Sequence, residues 1–137
     1  MTQTLQLTFN GAARTVTGSC HEFALGSTRV LVDCGLFQGS RTLEALNAEP
    51  FAFDPRSIDA VVLTHAHIDH SGLLPRLVAE GFTGPIWCTR ATADLLEYML
   101  ADAGRIQEAD TARRNGRAHP PPGPRGRGNV PAALYRG

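Results

Sequence analysis

Lysine is missing from this 137-residue sequence, so all thirteen basic side chains are arginine. That uniformity reads as a coding bias and not as a site. Cysteine is scarce: Cys20, Cys34 and Cys88 are odd in number, scattered, and nowhere form a C-x-x-C pair. The spacing gives little support to a thiolate zinc-finger framework, argues against a disulfide scaffold, and points to a reducing compartment. No apolar run approaches the length that spans a bilayer. The opening residues Met1 to Leu7 alternate polar and apolar with no basic n-region or apolar h-region, so no secretory signal is expected. A cytoplasmic protein without membrane attachment is the economical expectation.

What is present is an ordinary globular composition and a length that suits one domain or part of one. The formal net charge is zero, but its distribution is uneven. All thirteen acidic residues and seven of the arginines lie at or before Asp110, and six arginines with no acid follow. This divides the chain into a folded part, residues 1–110, and a basic tail, residues 111–137. The run from Pro120 to Gly128 cannot form a helix interior or a central strand, so the tail reads as flexible and disordered. Two alternatives stay open for it. One is a nucleic-acid-binding arm, for which Tyr135 is the one stacking aromatic. The other is a tail produced by an interrupted reading frame.

Along the folded part, Thr4 to Phe9 alternates as a half-buried strand should. A loop of small residues, Asn10 to Ser19, follows. Cys20–Leu25 and Thr28–Asp33 read as two strands joined by a tight hairpin at Gly26-Ser27. Gly35 and Gly39 open a loop, with a short helix possible around Thr42 to Leu46. Phe51 and Phe53 are expected to anchor an irregular connection between Pro50 and Pro55. Ala60 to Leu63 is a further strand. Gly72 to Glu80 predicts a helix with Leu73, Leu74, Leu77 and Val78 on one face, Pro75 in its first turn and Gly81 at its end. After a short strand at Pro85–Cys88, Thr89 or Thr92 is placed to cap a longer helix. Its stripe of Leu95, Leu96, Met99 and Leu100 is core packing by default.

The most informative stretch is Thr64-His65-Ala66-His67-Ile68-Asp69-His70. It holds three of the five histidines and one carboxylate within consecutive positions, straight after an apolar strand. A single histidine usually deserves a bland reading, as a surface or satisfied core residue. An HxHxDH pattern between a strand and a helix does not. Imidazole and carboxylate are donors that suit zinc. His65 and His67, at i and i+2 in extended backbone, can point to the same side. A following turn can bring Asp69 and His70 toward a second ion.

In this context the chain resembles the metallo-β-lactamase superfamily and, more narrowly, its β-CASP RNA-processing nucleases related to the cleavage-and-polyadenylation endonuclease. The segments that carry the likeness are Gly11 to Ser19, Leu31 to Gly39, Asp59 to Gly72 and Gly84 to Thr92. HxHxDH is shared across the superfamily, and the glycine-threonine loop and the Thr89-Arg90-Ala91-Thr92 segment point to the nuclease branch. The resemblance implies an α/β (α+β) fold, the N-terminal half of an αββα sandwich. It implies His65 and His67 as ligands of a first zinc ion, Asp69 and His70 as ligands of a second, and Asp33 as an acidic brace behind the metal loop. The implied chemistry is phosphodiester hydrolysis, in which two cations about 3.5–4 Å apart make hydroxide available near neutral pH. Asp69 would orient the nucleophile. Gly11, Thr17, Gly18 and Ser19 are candidates for a phosphate-approaching loop, with a plain connecting loop as the alternative. His21 matches no motif position and is read as structural.

The family's later ligands (a third histidine for the first zinc, a bridging aspartate, a last histidine for the second) find no match here, since the one histidine past His70 is His119 in the tail. The inserted domain that would clamp RNA is not visible either. The expectation is therefore a partial domain, weakly active or inactive alone, binding zinc weakly, with one sheet face uncovered. Two further readings compete. The chain could be a thioesterase- or lactonase-like small-molecule hydrolase of the same superfamily. Or it could be a non-catalytic half-domain that binds a partner, either a second copy of itself or a complementing C-terminal half.

Overall fold

The computed structural model describes residues 3–114 and 135–136. Three antiparallel strands open the chain: β1 (Leu5–Phe9), β2 (His21–Leu25) and β3 (Thr28–Val32). The expected hairpin joins β2 to β3, and Gly26 takes φ 60°, a left-handed conformation that glycine adopts without strain. The chain then crosses over, and β4 (Ala60–Val62) adds to β3 in parallel, followed by β5 (Ile86–Trp87) in parallel with β4. Tyr135–Arg136 forms β6, parallel to β5, so the sheet runs in chain order. The mixed α/β class expected from sequence is the class observed.

Among the described residues four α-helices accompany the sheet. Ser40 caps α1 (Arg41–Ala45) by accepting from the Leu43 amide, which starts the helix one residue before the sequence pattern suggests. The helix expected over Gly72 to Glu80 is α3 (Leu74–Ala79), and a separate short helix, α2 (Ile68–Ser71), precedes it. Pro75 sits in the first turn of α3, and Gly81 follows its end at φ 111°. Thr89 caps α4 (Arg90–Arg114), its hydroxyl accepting from the Thr92 amide. That helix passes the expected boundary at residue 110, because Thr111 to Arg114 contain no glycine or proline to stop it. The disorder expected for the tail otherwise falls on residues 115–134 and 137, outside the described residues.

Strand alternation sends Glu22, Leu31, Val61 and Ile86 to one face of the sheet. There Leu31, Val61 and Ile86 are fully buried in a cluster with Leu74 and Leu77 of α3, Phe82, and Leu96 and Leu100 of α4. Leu95 departs from the expected stripe: Leu96 and Leu100, four apart, take the core-facing line and leave Leu95 54% exposed. On the opposite face Leu5, Leu7, Phe9, Leu25, Val62 and Trp87 all remain well exposed. His21 stands on that open face edge-on to Phe9, and its Nδ1 has no hydrogen-bond partner among the described residues.

Side chains hold the irregular crossover where backbone pairing cannot. Asn47 accepts from the Phe37 amide and donates to the Phe37 carbonyl, both at 2.8 Å. Arg76 of α3 donates to the Asn47 and Glu49 carbonyls, pairs with Glu80, and lies over the Phe51 ring. Phe51 stacks on Phe53 and both pack against the core, as anchors should. The crossover thereby delivers the chain to β4, whose end carries the site.

Candidate metal centre

The site lies beyond the C-terminal ends of β3 and β4, the edge where open parallel sheets place their ligands. Asp33 follows β3 directly. It takes φ 64°, a left-handed backbone that aspartate tolerates better than most residues. Its side chain is nearly fully buried and accepts several hydrogen bonds. The Thr64 amide donates to Oδ1 at 2.8 Å, and the Ser19 hydroxyl donates to Oδ2 at 3.2 Å. The Thr64 hydroxyl lies 3.0 and 2.9 Å from the two carboxylate oxygens, and His70 Nδ1 lies 2.7 Å from Oδ2. A buried carboxylate requires this kind of saturation.

Thr64 leaves β4, and His67 sits just ahead of α2, so strand end and helix start enclose the histidines between them. The His65 ring is 4.0 Å from the His70 ring and 4.6 Å from the His67 ring, centroid to centroid. Asp69 Oδ2 lies 3.5 Å from His70 Nε2. The structure thus gathers the three imidazoles and the Asp69 carboxylate that the sequence singles out, and backs them with Asp33.

Main-chain bonds fix the path of this loop. The Cys34 amide donates to the His70 carbonyl, the Leu36 amide to Ile68 and the Ser19 amide to Asp69, all at 2.8–3.0 Å. Gly35 is packed so closely that a Cβ there would overlap the Asp69 carbonyl, which only glycine permits. Behind it Cys20 and Cys34 are buried together. A hydrogen bond with Cys20, then burial, pushes the Cys34 thiol well above its ordinary pKa. Both thiols pack as small apolar groups.

The candidate phosphate loop is placed more inwardly than a surface loop. Gly11 is buried against the Gly18 carbonyl, and Gly18 lies under the Phe37 ring at φ 78°. Thr17 accepts from the Gln38 amide and donates to the Gln38 carbonyl. Ser19 spends its amide on Asp69 and its hydroxyl on Asp33. Reading from sequence missed the parts that Thr64 and Ser19 play. The available signal was position: Thr64 directly precedes His65, and Ser19 closes the small-residue loop.

Does the donor set suit zinc? In kind it does, since three imidazoles and a carboxylate are ligands that zinc takes. With Nδ1 of His70 bonded to Asp33, a neutral ring turns its bare Nε2 toward Asp69 Oδ2, and two acceptors facing each other are relieved by a cation between them. In number the set is short. Among the described residues no three or more histidine, cysteine, aspartate or glutamate side chains close around one cation position. Each zinc ion wants three or four protein ligands.

Known proteins resemble the chain in sequence and in fold. The sequence pattern described as the Metallo-beta-lactamase superfamily matches residues 15–132. Ribonuclease TTHA0252 of Thermus thermophilus is 55% identical over 98 residues, 72% of this chain and 22% of that protein. Transcription termination factor FttA of Methanocaldococcus jannaschii is 38% identical over 98 residues, 72% of this chain and 16% of that protein. The chain therefore spans a minor part of the length of these relatives. Among solved structures, a metallo-beta-lactamase from Cronobacter sakazakii superposes with TM-score 0.50 at 22% identity, covering 69% of this chain and 34% of that one. This likeness speaks for the fold alone. Together, the strand-end histidine cluster and a sequence match over most of the chain's length show that the chain belongs to the metallo-beta-lactamase superfamily.

Proposed function

We propose that this chain carries part of the metal centre of a zinc-dependent, RNA-cleaving hydrolase of the β-CASP branch. The observation that supports the reading best is the gathering of His65, His67 and His70 beside Asp69, with Asp33 behind them. Relatives named as a ribonuclease and as a transcription termination factor point to RNA as the substrate class. In this reading His65 and His67 serve one zinc ion, and Asp69 and His70 serve a second. Bound zinc supplies a lowered water pKa and stabilises charge on phosphoryl oxygens. Asp69 orients the attacking water. In this reading the exposed part of the Gly11–Ser19 loop approaches the phosphate, and Ser19 ties that loop to Asp33 and Asp69. Cytoplasmic action goes with this reading and fits the three free cysteines.

Because the donors among the described residues are too few for two closed sites, the 137-residue chain by itself should bind zinc weakly and cleave RNA poorly or not at all. Calorimetric zinc titration of the chain and of His67→Ala, beside a cleavage assay on single-stranded RNA, tests this. Weak binding that His67→Ala abolishes supports the ligand assignment. Robust cleavage lost in His67→Ala overturns the incompleteness, and zinc binding indifferent to His67→Ala overturns the site. Hydrolysis of thioesters or lactones without RNA cleavage would shift the assignment to a small-molecule hydrolase. The exposed apolar sheet face favours one companion reading, in which the chain pairs with a second copy or with a complementing C-terminal half.

A further inference from the structure

The hydrogen-bond network around Asp33 has few ways of placing its protons. Asp33, as a carboxylate, only accepts. The Thr64 hydroxyl lies 2.9 and 3.0 Å from its two oxygens, distances at which an oxygen without a bridging hydrogen would be repelled. The one hydroxyl hydrogen of Thr64 is therefore spent on Asp33. His65 Nδ1 stands 3.0 Å from that same hydroxyl oxygen, which has only lone pairs left to offer. For a hydrogen bond to form there, His65 must carry its proton on Nδ1. His70 meets Asp33 directly through Nδ1 at 2.7 Å, with the same consequence.

The geometry points to Thr64 as a positioning residue. It relays the acceptor character of Asp33 to His65 and fixes the Nδ1–H tautomer of that ring, while Asp33 fixes the same tautomer of His70 without an intermediary. One buried carboxylate thus sets both rings so that each presents a bare Nε2. A neutral histidine binds a cation through whichever nitrogen lacks the proton, and the partner of the other nitrogen decides which one that is. His67, for which no such partner stands among the described hydrogen bonds, is left outside the relay. The value of the relay to the cation rests on the zinc reading above; the tautomers themselves do not.

Two-bond proton–nitrogen correlation spectra of the metal-free, nitrogen-15-labelled chain, taken above the imidazole titration range, read each tautomer directly. His65 and His70 should report Nδ1–H. Thr64→Val, close in shape but without the hydroxyl, should move His65 to the Nε2–H form that free imidazole prefers and leave His70 unchanged. Thr64→Ser should restore the parent spectrum. In zinc titrations Thr64→Val should lose about tenfold in affinity, the lower range for removing a group that orients a ligand, and Thr64→Ser should match the parent. An Nε2–H signal for His65 in the unaltered chain, or an unmoved His65 in Thr64→Val, overturns the relay. Nδ1–H on both rings with no zinc uptake upholds the relay and overturns the metal reading instead.

Discussion

The same strands build both faces of the sheet, yet the faces differ sharply. Leu31, Val61 and Ile86 are sealed under α3 and α4, whereas Leu5, Phe9, Val62 and Trp87 on the reverse stand between 42% and 61% exposed. An antiparallel sheet with one solvated face normally carries polar residues there. Here the solvated face is as apolar as the covered one. The difference teaches that residue type alone did not decide which face became the core. The connecting segments decided it, because the crossover into β4, α3 and α4 all pack on the same side. The histidine cluster sits at the edge shared by the two faces, so one flank of the site is finished and the other is open.

Substitutions can break this contrast or sharpen it. Phe82→Ala, in the covered core, should cost about 3–5 kcal/mol in chemical denaturation. Leu7→Thr on the open face should stay within about 0.5 kcal/mol. Equal losses at the two positions would mean that the open face is covered in solution. An effect between these two is expected at Glu22, a buried carboxylate on the covered face paired with Arg29 at 2.6 Å. Glu22→Gln should cost about 1–2 kcal/mol, less than breaking a fully buried pair because the Arg29 side chain is 41% exposed. The smallest change is one of rate. A thiol reagent should reach the half-buried Cys88, slowly because burial raises its pKa, well before Cys34. Early labelling of Cys34 would show the covered side opening.

Local chemistry made much of this fold legible in the sequence. Gly26-Ser27 turns the hairpin, Pro75 and Gly81 bracket α3, and Thr89 caps α4, each through a short-range rule that needs no tertiary information. The separate short helix α2 was not legible: Leu73, between it and α3, donates its amide to the Cys34 carbonyl, a partner distant in sequence. Nor was the exposure of Leu95, which depends on where α4 meets the core. At the site, the pattern of ligand-type residues announced itself. The network behind it did not, because Ser19, Asp33 and the Thr64–His70 stretch come from three separate segments. The small-residue loop shows the same limit. Its composition suggests open backbone amides, and the structure spends the Ser19 amide inward on Asp69.

The clasp of main-chain amides on the carbonyls of Ile68, Asp69 and His70 has a consequence for how the centre fills. A loop pinned by its own backbone is shaped before any cation arrives, so capture demands little ordering of the chain. Exchanging a ligand side chain should then empty the centre while the peptide keeps its course, and amide exchange at Ser19, Cys34 and Leu36, the donors of the clasp, should stay slow with or without zinc.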